Sequence, residues 1–170
     1  MSKEVLESLG KNLNRDMVTD LFHNGFYWKH FDFLVKHMQK EEKDTSWRSA
    51  WVVVHLMKED DPKIKKHLIK IIKNLEGKTD GHQRELIKIV RKMNLNEDHE
   101  GLFFDVCMNI WEEVKKQPAV RYYFALFILE IARKNAEIKN ELEHLTSDYY
   151  TQTLSPGIKR IFNRELSKIK

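Results

Sequence analysis

Apolar residues recur along this chain at steps of three and four, and alternation between apolar and polar positions is nowhere sustained. That rhythm buries one stripe of a helix and leaves the other side to solvent. Tyr27, Trp28, Phe31, Leu34, Val35 and Met38 form one such stripe, opposite Lys29, Asp32, Lys36 and Lys40. Phe103, Val106, Cys107, Ile110, Trp111 and Val114 form another. Segments 47–57 and 118–132 are apolar nearly all round, which predicts helices covered by neighbours on several sides.

Capping chemistry sets the boundaries. Asp61-Pro62 and Ser155-Pro156 each put a capping side chain before a proline whose missing N–H costs nothing in a first turn. Gly77 suits a left-handed helix exit, and Asp80 with Gln83 can form a capping box for the next helix. Asn96, Glu97, Asp98 and Glu100 put acids at a helix start, and Lys115 with Lys116 put bases at its end, as the macrodipole favours. Together these signals predict an all-α chain with helices over 26–40, 47–59, 62–75, 81–93, 97–116, 118–134, 136–145 and 155–166. One or two shorter helices precede Gly25.

Every second helix starts at Ser46, Gly81, Pro118 or Ser155, an interval of about 35 to 37 residues. Their openings, SWRSAWVVVHL, GHQRELIKIV, PAVRYYFALFIL and SPGIKRIFNREL, place a base ahead of an apolar block: Arg48, Arg84, Arg121, and Lys159 or Arg160. This resembles the HEAT/armadillo-like helical repeat, whose second helix commonly opens with a small residue or proline, then a Val-Arg-like pair. Pro118-Ala119-Val120-Arg121 with Ala125 matches best, and the likeness extends over about 26–166. Segment 81–90 lacks the small residue after Arg84, and 149–154 is an irregular join. The resemblance implies a right-handed α-α superhelix in a single domain of 1–170. A short N-terminal cap, 1–25, would precede about four helix pairs at 26–60, 61–94, 95–134 and 135–170.

With 41% apolar and 33% charged residues the composition is that of a folded chain, long enough for a core without staples. A lone cysteine, Cys107, forms no internal disulfide, and no stretch has the order of a secretory signal, so a reducing cytoplasm is the expected compartment. The longest apolar run, 118–132, contains Arg121 and Glu130 and falls short of the roughly 20 residues that cross a bilayer, so no membrane partner is expected. A net charge of +4 permits anionic partners without requiring them.

Candidate chemistry is sparse. Nucleophile elbows, phosphate loops and dinucleotide fingerprints are absent. His23, His30 and His37 are spaced by sevens, but Gly25 interrupts the helix that would align them, and Glu141 with His144 is a lone pair in a polar stretch. Cys107 reads as a core filler. The paired acids at 59–61 and 97–98 flank helix starts, where they cap backbone donors. Trp28, Trp51 and Trp111 sit on apolar stripes, leaving Trp47, at a helix start, as the indole best placed for a ligand. No catalytic residue, metal ligand or cofactor is assigned.

Basic stripes are the most suggestive feature: Lys63, Lys66, Lys70 and Lys73 on one helix, and Arg84, Lys88 and Arg91 on the next. In stacked helix pairs the second helices line the concave side. The expected function is therefore a non-catalytic interaction module, with Arg48, Arg84, Lys88, Arg91, Arg121 and Lys159 meeting an acidic or extended segment of another protein. A second reading is nucleic-acid binding, by architectural likeness to the DNA alkylation-repair glycosylases. Segments 46–58, 81–93, 118–134 and 155–170 contain no aspartate to serve as their catalytic acid. A third is self-association through Phe26, Phe33 and Tyr150, with the oligomeric state left open.

Overall fold

Asp61 accepts a hydrogen bond from the Lys63 amide at 2.9 Å, directly ahead of Pro62, so the helix predicted there starts as its capping residues dictate. Asn96 caps through the His99 amide, and Asn135 through the amides of Glu137 and Ile138. A computed structural model describes residues 2–10, 19, 22–41 and 43–169. All regular structure among them is helical. The helices in chain order are α1 (Ser2–Gly10), α2 (Phe26–Lys29), α3 (Phe31–His37), α4 (Lys43–Leu56), α5 (Pro62–Lys65), α6 (Leu68–Lys73), α7 (Asp80–Arg91), α8 (Glu97–Glu112), α9 (Pro118–Ala132), α10 (Ala136–Leu145), α11 (Asp148–Thr151) and α12 (Pro156–Leu166). The cap expected before Gly25 includes α1, and its remainder at 11–18 and 20–21 lies outside the described residues.

Several boundaries depart from expectation. Helix 26–40 is divided at His30 (φ −110°) and helix 62–75 at His67 (φ −107°), each marked by an i to i−3 bond, to Tyr27 and Ile64. Neither break carries a proline or glycine. Gly77 does not take the left-handed conformation. Among the described residues Gly25 (φ 72°) and Asp60 (φ 48°) do. Asp60 is held there by its own amide, which donates to the Lys92 carbonyl at 2.8 Å, and by the Asn94 amide on its side chain. The capping box at Asp80 does not form, because Gln83 is buried and donates instead to the carbonyls of Leu75 and Glu76. Ser155 makes no side-chain cap. α8 stops at Glu112, so Lys115 and Lys116 follow its last turn.

The chain divides into two compact units, Met1–Asn94 and Leu95–Lys170. In the first unit α4 packs on α1, α3 and α7. Val35, Met38, Val52, Val53, Leu86 and Val90 are among its buried residues. In the second α9 is the centre, packed on α8, α10 and α12, and its Phe124, Ile128 and Ala132 are buried. Both helices are those whose apolar residues run all round. Each fully buried aliphatic or aromatic side chain contributes roughly 1.5–3 kcal/mol.

One kind of bond recurs at about the repeat spacing. Arg48 donates to the Leu9 carbonyl at 2.6 Å, Lys78 to those of Gln39 and Lys40, Lys92 to that of Val54 at 2.9 Å, and Trp111 to that of Leu145 at 2.9 Å. These pairs lie 34 to 39 residues apart. Every acceptor is in, or just beyond, the last turn of α1, α3, α4 or α10, where carbonyls have no partner within their own helix. A neighbouring helix pair supplies the missing donor, which ties the repeat period to backbone satisfaction as well as to apolar burial.

A candidate interaction surface

The six bases singled out in the sequence meet different fates. In the first unit, α7 is buried on most sides, and Arg84, Lys88 and Arg91 are half-buried along its one solvent-facing stripe, as a helical face requires. Beneath them Glu85 is fully buried, with Arg84 Nε at 3.0 Å from Oε1 and Lys88 Nζ at 3.0 Å from Oε2. The bases on α7 thus partly neutralise an internal carboxylate. Arg48 on α4 spends one amino group on the Leu9 carbonyl and lies 5.5 Å from the centre of the Trp47 ring.

Arg121 is not a surface residue. It is fully buried in the second unit, with its guanidinium on the Trp111 ring and every nitrogen bonded: Nε and Nη2 to the Trp111 carbonyl, Nη2 also to that of Tyr150, and Nη1 to Thr153 Oγ1. The carbonyls at the end of α8 and around 150–153 need a rigid fork of donors, and burial pulls the guanidinium below its ordinary pKa. Lys159 on α12 is half-buried, at 4.0 Å from Asp148.

The indoles also rearrange. Trp111 is buried as expected, stacked on Phe162 at 5.3 Å. Trp28, expected on a buried stripe, is 47% exposed, because the break at His30 turns the short α2 away from the stripe of α3. Trp51, also expected in the core, is half-buried beside the exposed His55, whose ring centre is 4.3 Å away. Phe26, Phe33 and Tyr150, expected as exposed aromatics, are half-buried, and the freely exposed aromatic of that set of neighbours is Tyr149 at 61%.

One surface emerges in the first unit. Trp47, Arg48, Trp51 and Val54 are half-buried on the solvent-facing side of α4, with Asp44 and His55 exposed beside them, and α7 lies against that helix. The Lys92 bond to Val54 aligns the C-terminal ends of α4 and α7. The half-buried bases Arg84, Lys88 and Arg91 occupy the solvent-facing stripe of α7, the helix packed on α4. The sequence could have flagged Trp51 by its four-residue step from Trp47, but the apolar neighbours 52–54 masked it. α4 and α7 begin earlier than expected and so include Asp44 and Asp80, both in first turns where the macrodipole favours an acid.

In the second unit, an open groove of about 310 Å³ is lined by Glu97, Glu100, Asp105, Phe104, Ile131 and Ile138 among others. Another, of about 650 Å³, runs along Lys139, Glu143, Thr146 and Asp148 to Ile169. Among the described residues no three His, Cys, Asp or Glu side chains gather as metal ligands would. Glu141 and His144 are both exposed, and Cys107 is buried.

No curated protein and no solved structure matches the chain. The profile of the HEAT repeat domain family matches residues 5–169, nearly its whole length. The repeat period, the helix pairs and that match together place this chain in the HEAT repeat domain family.

Proposed function

We propose that the chain is a non-catalytic protein-interaction module that uses the α4 and α7 surface of its first unit to hold an acidic, extended segment of another protein. HEAT repeats generally serve as interaction scaffolds. The observation that carries the reading is that two packed helices each present half-buried recognition side chains, the indoles Trp47 and Trp51 on α4 and the bases Arg84, Lys88 and Arg91 on α7. Indoles give rigid apolar contact area at low entropic cost, and flanking bases steer and orient carboxylates. Arg121 takes no part, and Arg48 contributes through its position by Trp47.

A fluorescence titration with a glutamate-rich peptide and its glutamine counterpart tests this. The acidic peptide should bind and the neutral one should not, with affinity falling as salt rises. Arg84→Gln should weaken binding about fivefold, a cost near the upper end for an exposed charge, and Trp47→Ala more. Lys115→Gln, on the other unit, should change nothing. Equal binding of both peptides, or no effect of either surface variant, removes the proposal. Tighter capture of duplex DNA than of the acidic peptide would favour the nucleic-acid reading instead.

A further inference from the structure

The first helices of the first unit carry a different surface. Lys66, at the end of α5, and Ile69, Lys70 and Lys73 on α6 lie at three- and four-residue steps, all of them exposed, Ile69 by 48%. Trp28, 47% exposed, stacks on Phe31 at 5.9 Å, and Lys63 sits 5.6 Å from the centre of that same Phe31 ring, joining α2 and α3 to α5. Asp32 is consumed by Lys63 at 3.2 Å, and Asp60 by Lys65 at 3.5 Å. Lys29, Lys36, Lys66, Lys70 and Lys73 have no ion-pair partner among the described residues. His67 marks the middle of the patch. Its own burial and then Lys66, Lys36 and Lys70 hold the imidazole below its usual range, with Asp32 opposing.

We infer that this face docks peripherally on an anionic lipid bilayer, with Trp28 and Ile69 entering the headgroup boundary and the lysines meeting lipid phosphates. This departs from the sequence expectation of no membrane partner, which rested on the lack of a run long enough to cross a bilayer. A superficial contact needs no such run, and no helix among the described residues is long and apolar enough to cross a membrane. Two features favour a bilayer over a nucleic acid. The bases of the patch are all lysines, point charges on long apolar stems, whereas recognition of a phosphate backbone favours the guanidinium fork. Two large apolar side chains are exposed among them, and an isolated isoleucine has nothing to do on a phosphodiester backbone, whereas an interface takes both it and the indole. The inference is independent of the α4 and α7 surface, because it uses none of those residues.

Vesicle co-sedimentation of the whole chain tests it. Phosphatidylcholine vesicles containing phosphatidylglycerol should retain the protein, and pure phosphatidylcholine should not. Lys66→Gln with Lys70→Gln should weaken retention by about 25-fold, at about fivefold per lysine. Trp28→Ala and, separately, Ile69→Ser should weaken it several-fold without altering the salt dependence. All four side chains are exposed, so circular dichroism should report an intact fold. On the unaltered protein, a titration of His67 by NMR should show its pKa rising when anionic vesicles are added. Failure to sediment with anionic vesicles at low salt overturns the inference, as does an unchanged retention of the double lysine variant. Equal capture of duplex DNA, with Trp28→Ala and Ile69→Ser both silent, would overturn it in favour of a general polyanion surface.

Discussion

Arg121 lies 4.4 Å above the indole of Trp111 and also donates twice to that residue's carbonyl, at 2.9 and 2.8 Å. A cation with no carboxylate partner is thus buried by satisfying it with an aromatic face and three oxygen acceptors, two of them backbone carbonyls. The arrangement closes the end of α8 onto the 150–153 segment. Within the best HEAT-like match in the sequence, the base is a strut of the fold.

Replacing that strut should be costly even conservatively. Arg121→Lys retains the charge but not the planar fork, and should lower stability by about 2–3 kcal/mol through lost bonds to carbonyls that stay buried. Arg121→Ala should cost about 3–5 kcal/mol. Urea unfolding followed by near-ultraviolet circular dichroism measures both. A loss under about 0.5 kcal/mol for Arg121→Lys, the level of an ordinary surface substitution, would return the residue to the surface.

Glu85 gives the second expectation. Its carboxylate is fully buried and leans on Arg84 and Lys88, so reversing both bases would gather three carboxylates where one is now compensated. Arg84→Glu with Lys88→Glu should cost at least about 3 kcal/mol. Glu85→Gln should cost less than about 2 kcal/mol, because the two bases reach solvent and can rehydrate. Thermal melts of the two variants, compared with the parent, check the order. Charge reversal is consequently a poor probe of binding at these positions, and single neutral substitutions are preferable.

The third expectation concerns pH. His82 is buried, and its Nε2 donates to the Met38 carbonyl at 2.8 Å, beyond the end of α3. Burial pulls its pKa from 6.5 to about 4, partly opposed by the bond to Met38, with Lys78 nearby adding to the depression. An unfolded chain takes up a proton near pH 6.5 that the folded chain refuses until about pH 4. Stability is therefore fully present above that range and declines as pH falls through it, by at most about 1.4 kcal/mol per pH unit. Urea midpoints at successive pH values should show the decline, and His82→Gln should flatten its upper part. An unchanged slope in the variant would assign the decline to other groups.

Much of the fold was legible because it rests on spacing. Steps of three and four residues announce a helix wherever the chain lies, and Asp61-Pro62, Asn96 and Asn135 cap within three residues of themselves. The breaks at His30 and His67 carry no such signal, having neither proline nor glycine. Gly77 and Gln83 misled for a related reason. A local motif offers one way to satisfy the backbone, and Gln83 found a better one at Leu75 and Glu76 once α7 was packed.

The bases show where spacing stops being informative. Arg48, Arg84 and Arg121 recur at about the repeat spacing along the chain. Only packing decided that Arg121 would be enclosed, that Arg84 would serve Glu85, and that Arg48 would reach across to Leu9. Trp28 and Trp51 moved the other way, from expected burial to the surface. Helix type and pairing follow from neighbours in sequence, whose geometry is set by the backbone itself. The role of a long side chain depends on which carbonyl, ring or carboxylate lies within its reach some 30 to 40 residues away, and folding alone brings those groups together.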